Sequence, residues 1–223
     1  MVRRLIGALS AVQPYPPGFF DRVDDSADPA FYGPDRLVTH IDEAAIAAVG
    51  ALYADLRVEG RVLDLMGSWV SHFAHPPEHL TVLGMNPQEL DANPMATERV
   101  QHDLNRDPTL PFADASFDDA VCCASVDYLT RPVEVFAEVA RVLRPGGRFV
   151  VTWSNRCFPT KAIRGWLMAD HDGRPHIVRS YFDRSARFGD VVTDHRVEPS
   201  RFADPLDAAW AARTDADSRS TPP

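Results

Sequence analysis

The stretch RVLDLMGSWVSHF, residues 61–73, joins an apolar run to side chains that can contact a ligand. Its first five residues predict a buried strand, and Gly67 follows where a nucleotide-binding fold makes its first turn. Ser68 offers a hydroxyl group, and Trp69 offers a flat apolar wall. The alternative interpretation is a purely structural turn in which Trp69 fills the core.

The histidines and cysteines do not have the spacing of a metal site. His72, His75 and His79 lie within eight residues, but Pro76 and Pro77 intervene, so that no shared helix face forms. This spacing differs from the His-Glu-x-x-His pattern, and the three cysteines include no Cys-x-x-Cys pair. We therefore expect no metal, and we interpret His72, beside the turn, as a cofactor or substrate contact.

Length and charge narrow the class of protein. The 223 residues favour one large domain. A net charge of −9 argues against a dedicated nucleic-acid binder. No apolar run approaches the roughly 18 residues that cross a membrane. An arginine pair near the amino terminus precedes only a short apolar stretch, which we interpret as an ordinary helix rather than a signal peptide, so we expect a cytoplasmic protein.

Strands and helices alternate from residue 39 onward. A first helix is predicted to begin near Thr39, and a second covers residues 133–147, where Pro-Gly-Gly stops it. The alternation favours a doubly wound, mostly parallel, Rossmann-like α/β sheet of about seven strands, with helices on both faces. The predicted strands are RVLDL (61–65), TVLGM (81–85), a weaker strand around Val100, DDAVCCAS (118–125) and GRFVVTWS (147–154).

The periodicity is weaker toward both ends of the chain. Residues 157–170 look helical from Pro159, residues 177–192 predict a helix that turns into a strand, and residues 205–213 are ambiguous. We divide the chain into an amino-terminal helix with a Pro- and aromatic-rich arm or lid (1–38), an α/β domain (39–213) and a disordered tail (214–223).

Four blocks of sequence, in order, resemble the class I S-adenosylmethionine-dependent methyltransferase superfamily, in particular its type 11-like members. They are RVLDL, TVLGMN, DLNRDPTLPFADASFDDAVCCASVDYL (103–129) and RVLRPGGRFVVTWSN (141–155), and the resemblance covers about residues 39–155. SWVSHF, VDYLT and SNRCF also resemble a plant and bacterial branch of that superfamily.

The first turn departs from the family pattern. That pattern is Asp-x-Gly-x-Gly-x-Gly, and its glycine positions fall here on Met66, Ser68 and Val70. A β-branched valine is strained at positive φ, so we predict a shifted turn in which Gly67 takes the tight bend. The resemblance implies that the cofactor contacts Asp64, Met66, Gly67, Ser68, Trp69, Asn86, Pro87, Asp103, Leu104 and Ser125.

Two of these positions lie at strand ends. Asn86 stands where the family usually has the acidic residue that accepts the ribose hydroxyls, and Glu89 is the nearby substitute. Asp103 aligns with the residue that meets the adenine amino group. The alternatives are a turn or helix cap at Asn86 and a turn aspartate at Asp103.

The resemblance also places a substrate end near the fourth and fifth strands. Asp127 would bind the cofactor's amino group or act as a general base, and Tyr128 would do likewise or simply pack. Arg156 would clamp a carboxylate or phosphate, or form a surface salt bridge. The candidate catalytic residues are His40, Asp127, Tyr128 and Tyr32, and the candidate substrate contacts are His72, Asn155 and Arg156.

We therefore expect an enzyme that transfers a methyl group from S-adenosyl-L-methionine to oxygen, nitrogen or sulfur of a small molecule, with S-adenosyl-L-homocysteine as product. We expect neither nucleic acid nor a membrane as partner. The alternatives are non-methyl chemistry on the same fold, or a catalytically inactive binding or partner subunit.

Overall fold

A computed structural model describes residues 14–200 and 203–214 and places seven strands in one sheet. The strand order is β3-β2-β1-β4-β5-β7-β6; β7 is antiparallel to both of its neighbours, and the other pairings are parallel. The predicted fold class is thereby confirmed. The strands are β1 (Arg61–Leu65), β2 (His79–Gly84), β3 (Glu98–Gln101), β4 (Phe117–Cys123), β5 (Leu143–Trp153), β6 (Val192–Val197) and β7 (Leu206–Ala212).

Helices cover both faces of this sheet. The helices α4 and α6 pack together over one face, and α2 and α3 pack over the other. Each face has its own cluster of buried apolar side chains, as expected for parallel strands that are apolar throughout. The helices are α1 (Asp28–Tyr32), α2 (Glu43–Asp55), α3 (Pro87–Ala92), α4 (Pro132–Val142), α5 (Arg164–Met168) and α6 (Gly173–Ser185), with a 3₁₀ turn at Val126–Tyr128.

Several predicted boundaries are wrong by a few residues. The cap of α2 is Asp42 rather than Thr39, because the Asp42 side chain accepts a hydrogen bond from the Ala45 N–H at 2.9 Å. The helix α4 ends at Val142, and the Leu-Arg-Pro-Gly-Gly segment is already part of β5. A Cβ on Gly147 would lie 2.4 Å from the Asp118 carbonyl oxygen, so glycine is required there for β5 to approach β4.

The segments after β5 form helices and strands that are better defined than their sequence patterns predict. The helix predicted from Pro159 is limited to the five residues of α5. The helix predicted in 177–192 is α6, and the strand after it is β6. The ambiguous run at 205–213 is β7, paired between β5 and β6.

Residues 14–38, here called the arm, lie against the domain rather than away from it. Tyr15 packs on Phe19 and Phe20 with ring centroids 4.9 and 4.8 Å apart. The fully buried Lys161 donates to the Ser26 carbonyl at 2.7 Å and lies 3.3 Å from the Asp28 carboxylate. The predicted amino-terminal helix falls within residues 1–13, and almost all of the predicted tail falls within 215–223; both lie outside the described residues.

None of the helices in the described ranges has the length and apolar character needed to cross a membrane.

Candidate active site

A large cavity lies at the carboxyl ends of β1 to β4. Its volume is about 270 Å³, close to the lower end of the range for small-ligand pockets. The walls come from the turn after β1, the ends of β2 and β3, and the segment after β4, while Tyr32, Arg36 and His40 of the arm and its continuation close one side. Ligands of open α/β sheets bind at this edge, so its location agrees with the fold.

The first turn is not built as predicted. Met66, not Gly67, takes the left-handed conformation, with φ of 57°. The Gly67 N–H donates to the Leu83 carbonyl at 2.9 Å, which draws the turn across β2. A Cβ on Gly67 would lie 2.6 Å from Val82 Cγ1, and one on Gly84 would lie 2.1 Å from the Gly67 carbonyl oxygen. Gly67 is therefore required by close packing and not by positive φ.

Asp64 belongs to a network of hydrogen bonds that stabilises this turn. It is 4% exposed, and its Oδ2 accepts a hydrogen bond from the Ser71 hydroxyl at 2.5 Å. The Asn93 amide donates to Ser71 Oγ at 3.0 Å and to the Ser68 carbonyl at 2.9 Å. Burial raises the pKa of Asp64 to about 7, despite the hydrogen bond from Ser71. Asp64 does not line the large cavity but borders a smaller one beside it.

The smaller cavity also receives Trp69 and His72. The Trp69 indole N–H donates to the Val38 carbonyl at 3.2 Å, so the ring joins the turn to the end of the arm. Burial lowers the pKa of His72. Neither side chain lines the large cavity, whereas Met66, Gly67, Ser68, Ser125 and His40 line both.

Asn86 caps α3 and holds the arm. Its Oδ1 accepts from the Glu89 N–H at 3.1 Å. Its Nδ2 donates to Asp35 Oδ1 at 2.9 Å and to the carbonyls of Gly33 at 3.0 Å and Tyr32 at 3.3 Å. Asn86 borders the cavity with its Nδ2 engaged by the arm and one acceptor position left on Oδ1, so its contact with ribose hydroxyls stays a prediction.

Glu89 is the acidic group that faces the cavity from this side. Its Oε1 accepts from the Arg36 N–H at 2.7 Å, and its Oε2 accepts from the Ser68 hydroxyl at 2.5 Å. A carboxylate has about four acceptor positions, so two remain for a ligand. Pro87, predicted as a cofactor contact, is instead the exposed first residue of α3 and does not line the cavity.

The end of β3 contributes Asp103 and Leu104. Asp103 Oδ1 accepts from the N–H groups of Asn105 and Arg106, both at 3.1 Å, as a turn aspartate does. Leu104 is 4% exposed and forms part of the apolar wall. His102 also lines the cavity.

Of the residues after β4, two reach the cavity and one does not. Ser125 donates to the Cys123 carbonyl at 2.8 Å, and the Tyr128 hydroxyl accepts from the Phe158 N–H at 2.8 Å; both residues line the cavity. Asp127 is 2% exposed and lies behind the wall, and its Oδ2 has no hydrogen-bond partner among the described residues. Burial raises the pKa of Asp127 to about 7. Direct contact of Asp127 with a ligand is thus not supported.

The remaining predicted residues fall on the arm side and the β5 side. Partial burial lowers the pKa of His40, whose ring meets that of Phe158 edge-on at 5.2 Å. The Tyr32 hydroxyl has no hydrogen-bond partner among the described residues, and burial raises its pKa. Arg156 lines the cavity while its Nε donates to Asp204 Oδ1 at 2.8 Å, whereas Asn155 is exposed and lines neither cavity.

Sequence reasoning did not identify Arg36 and Phe158 as parts of the site. The Arg36 guanidinium lies 4.6 Å from the centroid of the Phe31 ring and 5.5 Å from that of Phe158. Phe158 lies within the SNRCF motif, and that motif was its one signal in the sequence. For Arg36 there is no such signal, because its place in the wall depends on how the arm folds back.

The comparisons with known proteins agree with this architecture. Residues 66–151 match the family model described as "Methyltransferase domain". A stretch of 73 residues is 34% identical to the biotin biosynthesis bifunctional protein BioHC of Teredinibacter turnerae; it spans 33% of this chain and 13% of that protein.

Solved structures extend the likeness over most of the chain. The [4+2]-cyclase SpnF superposes with a TM-score of 0.55 at 14% identity, covering 82% of this chain and 89% of its own. A methyltransferase of Aquifex aeolicus gives 0.54 at 12% identity, with 77% and 92% covered. A Thermotoga maritima protein, described as a possible histamine N-methyltransferase, gives 0.53 at 16% identity, with 77% and 91% covered. At these identities the likeness establishes the fold.

The fold, the position of the cavity and the family match point in the same direction. Residues 66–151 match a methyltransferase domain, and over most of its length the chain has the fold of solved methyltransferase structures.

Proposed function

We propose that this protein transfers the methyl group of S-adenosyl-L-methionine to a small-molecule acceptor. The observation that carries this proposal is the cavity at the carboxyl ends of β1 to β4, with the carboxyl groups of Glu89 and Asp103 in its wall. The methyltransferase family match makes S-adenosyl-L-methionine the cofactor to test, with S-adenosyl-L-homocysteine as the product.

Three parts of the wall fit this cofactor. Glu89, with two free acceptor positions, would receive the ribose hydroxyls. Asp103 Oδ1 makes the hydrogen bonds of the turn, so Oδ2 would accept a hydrogen bond from the adenine amino group. Leu104 offers the adenine ring an apolar surface. The turn at Met66 to Ser68 borders the same space.

The cofactor, when bound, supplies a methyl group already activated on a sulfonium sulfur, so the chain has mainly to orient the acceptor and exclude water. His40 is the residue best placed to take a proton from the acceptor. It borders both cavities, and its lowered pKa keeps the imidazole neutral at neutral pH. Tyr128 has its hydroxyl held by the Phe158 N–H and serves to position the acceptor.

The wall also indicates what kind of acceptor to test. Tyr32, Tyr128 and Phe158 give one part of the cavity an aromatic lining, and Arg36 and Arg156 place positive charge beside it. An aromatic or apolar molecule that carries a carboxylate or phosphate matches both features. The arm closes this side, so a macromolecular acceptor would have to displace it.

The first experiment measures the binding of S-adenosyl-L-methionine and S-adenosyl-L-homocysteine by calorimetry and thermal shift. We expect both ligands to raise the melting temperature, because a ligand that binds only the folded state stabilises it by mass action. We expect Glu89→Gln to weaken both ligands by at least about tenfold, since a charge-assisted hydrogen bond contributes roughly 1.5–3 kcal/mol.

Glu43→Gln, an exposed glutamate at the start of α2, is the matched control and should leave both affinities unchanged. No melting shift at millimolar ligand with the protein folded would overturn the proposal.

If both ligands bind, the second experiment identifies the acceptor class. It measures the transfer of a radiolabelled methyl group from S-adenosyl-L-methionine to a panel of aromatic carboxylates and phosphates.

Non-methyl chemistry on the same fold is the second candidate, because Met66 stands at a glycine position of the cofactor turn and the Asn86 amide is engaged elsewhere. Binding of S-adenosyl-L-methionine without formation of S-adenosyl-L-homocysteine, across the acceptor panel, would favour that candidate.

A further inference from the structure

Two histidines and one aspartate meet at the antiparallel edge of the sheet. The Nδ1 of His195 lies 2.5 Å from Asp207 Oδ1, and the Nδ1 of His171 lies 3.4 Å from Asp207 Oδ2. One ligating atom from each of the three residues lies within 4.8 Å of the others. The methyltransferase proposal assigns no role to this cluster.

Strand register brings two of these residues together. His195 of β6 and Asp207 of β7 are direct cross-strand partners, so their side chains leave the same face of the sheet. His171 comes from the connection between α5 and α6, and its ring lies 5.3 Å from that of His195. Two imidazoles from distant parts of the chain thus flank one carboxylate.

His195 forms a hydrogen bond with Asp207, whereas the spacing of His171 from Asp207 leaves room for a shared cation. The distance from His171 to Asp207 is longer than the usual range for a hydrogen bond, up to about 3.2 Å. In a tetrahedral zinc site with metal–ligand bonds of about 2.1 Å, neighbouring ligand atoms lie roughly 3.4 Å apart. That pair already has this spacing, whereas the closer His195 ring would have to withdraw by about 1 Å, which its 49% exposed side chain permits.

Charge and access also fit a cation. Asp207 is only 3% exposed, whereas the His171 ring is 32% exposed, so a metal would enter from solvent through the imidazoles. Asp172 and Glu198 act electrostatically on His195 and add negative charge. Arg174 opposes them at Asp207, but its NH1 donates to the Ser154 carbonyl and its guanidinium lies over the Trp166 ring, at 5.1 Å.

We propose that His171, His195 and Asp207 bind a divalent cation of the zinc type, with solvent in the remaining position. Two imidazole nitrogens and one carboxylate oxygen are ligands that such borderline metals accept. The bound ion would fasten the β6–β7 hairpin to the connection before α6. Asp207 also pairs with Trp153 at the end of β5, so the bound ion would stiffen the sheet where β5 ends.

The test uses the full chain after removal of metals with a chelator. Calorimetry with Zn²⁺ should give one tight site per chain, and the melting temperature should rise with Zn²⁺ and fall again with chelator. Co²⁺ in place of Zn²⁺ should develop the visible absorption of a low-symmetry site with nitrogen and oxygen ligands.

His171→Ala and His195→Ala should each weaken Zn²⁺ binding by at least about tenfold, since even the loss of a residue that only hydrogen-bonds to a metal ligand costs 10–100-fold. His75→Ala, an exposed histidine of the β1–β2 connection, should bind Zn²⁺ as the unaltered chain does. Both altered histidines are partly exposed, so the variants should fold, and circular dichroism checks this. Binding no tighter than millimolar, or equal binding by the two variants and the control, would overturn the proposal.

Discussion

A single left-handed residue lies at the turn after β1, where we propose that the cofactor binds. Met66 occupies a position where the family has glycine, and it adopts the left-handed conformation that glycine adopts without strain. The turn therefore carries a side chain on a left-handed residue. That side chain borders both cavities, so Met66 strains the backbone and also reduces the space next to the turn.

Met66→Gly should open this turn without unfolding the protein. Relief of left-handed strain contributes about 1–2 kcal/mol and offsets much of the apolar contact that the partly buried methionine loses. We expect the free energy of unfolding to change by less than about 1 kcal/mol and the affinity for S-adenosyl-L-homocysteine to rise. Urea unfolding and calorimetry measure the two quantities.

Ala115→Gly is the control for this experiment, because Ala115 is also left-handed, with φ of 53°, but lies away from both cavities. It should stabilise the protein and leave affinity unchanged. Equal affinity in the unaltered chain and the Met66 variant would mean that the methionine side chain does not restrict the cofactor space.

At the scale of elements, the start of α3 holds the arm in place. Asn86 and Glu89 together bind the arm at residues 32–36, through the Asn86 amide and the Glu89 carboxylate. Tyr32 and Arg36, which these contacts position, form part of the cavity wall. Asn86 thus caps α3 and also holds the arm beside the cavity. We propose that the arm acts as a lid over the cavity.

Asn86→Asp separates the two functions of this residue. Aspartate caps a helix as well as asparagine does, so α3 should persist. The new carboxylate cannot donate to the Tyr32 and Gly33 carbonyls and repels Asp35, so the arm should loosen at a cost of about 1–3 kcal/mol. Hydrogen exchange should quicken at residues 32–38 and remain slow in α3.

Asn155→Asp makes the same chemical change at an exposed site outside both cavities and should leave exchange in the arm unaltered. Unchanged exchange in the Asn86 variant would show that the arm is held by its aromatic and Lys161 contacts alone.

At the scale of the whole molecule, two buried carboxyl groups make stability depend on pH. Burial raises the pKa of both Asp64 and Asp127 from 3.8 to about 7. The folded state therefore retains protons that the unfolded state has released. The stability associated with these two groups is fully present below about pH 4 and is lost as the pH rises through about 7. Glu138 acts in the opposite sense, since its hydrogen bonds with Arg141 lower its pKa and favour folding above the acidic range.

Asp127→Asn should stabilise the protein more at the higher pH. Near pH 5 the folded aspartic acid is still protonated, so only the ionisation of the unfolded state separates it from the amide. Near pH 8 the variant also avoids a buried charge and should gain about 1–3 kcal/mol more than near pH 5. Urea unfolding at the two pH values measures this difference.

Asp91→Asn, an exposed position on α3, should give the same small effect at both pH values. A gain for the Asp127 variant that is equal near pH 5 and near pH 8 would contradict the raised pKa.

Local patterns in the sequence were sufficient for the sheet and for its ligand-binding edge. The run RVLDL is β1 with the predicted bounds, because a short apolar stretch between turn residues has few other stable conformations. The alternation of strands and helices limited the topology to parallel crossovers, which place the ends of β1 to β4 together. Residues that directly follow these strands, such as Ser68, Asp103 and Ser125, therefore line the cavity.

Only the tertiary structure decided which side chains face that cavity and what else they contact. Asp127 and Tyr128 are adjacent in sequence, yet one is buried behind the wall and the other lines it, because the 3₁₀ turn that carries them points them in different directions. The sequence by itself determined the elements, since propensity and periodicity are local properties. The engagement of Asn86 by the arm, and the meeting of His171 with His195 and Asp207, arise from contacts between distant parts of the chain. Such contacts depend on side-chain direction and strand register, which no local pattern specifies.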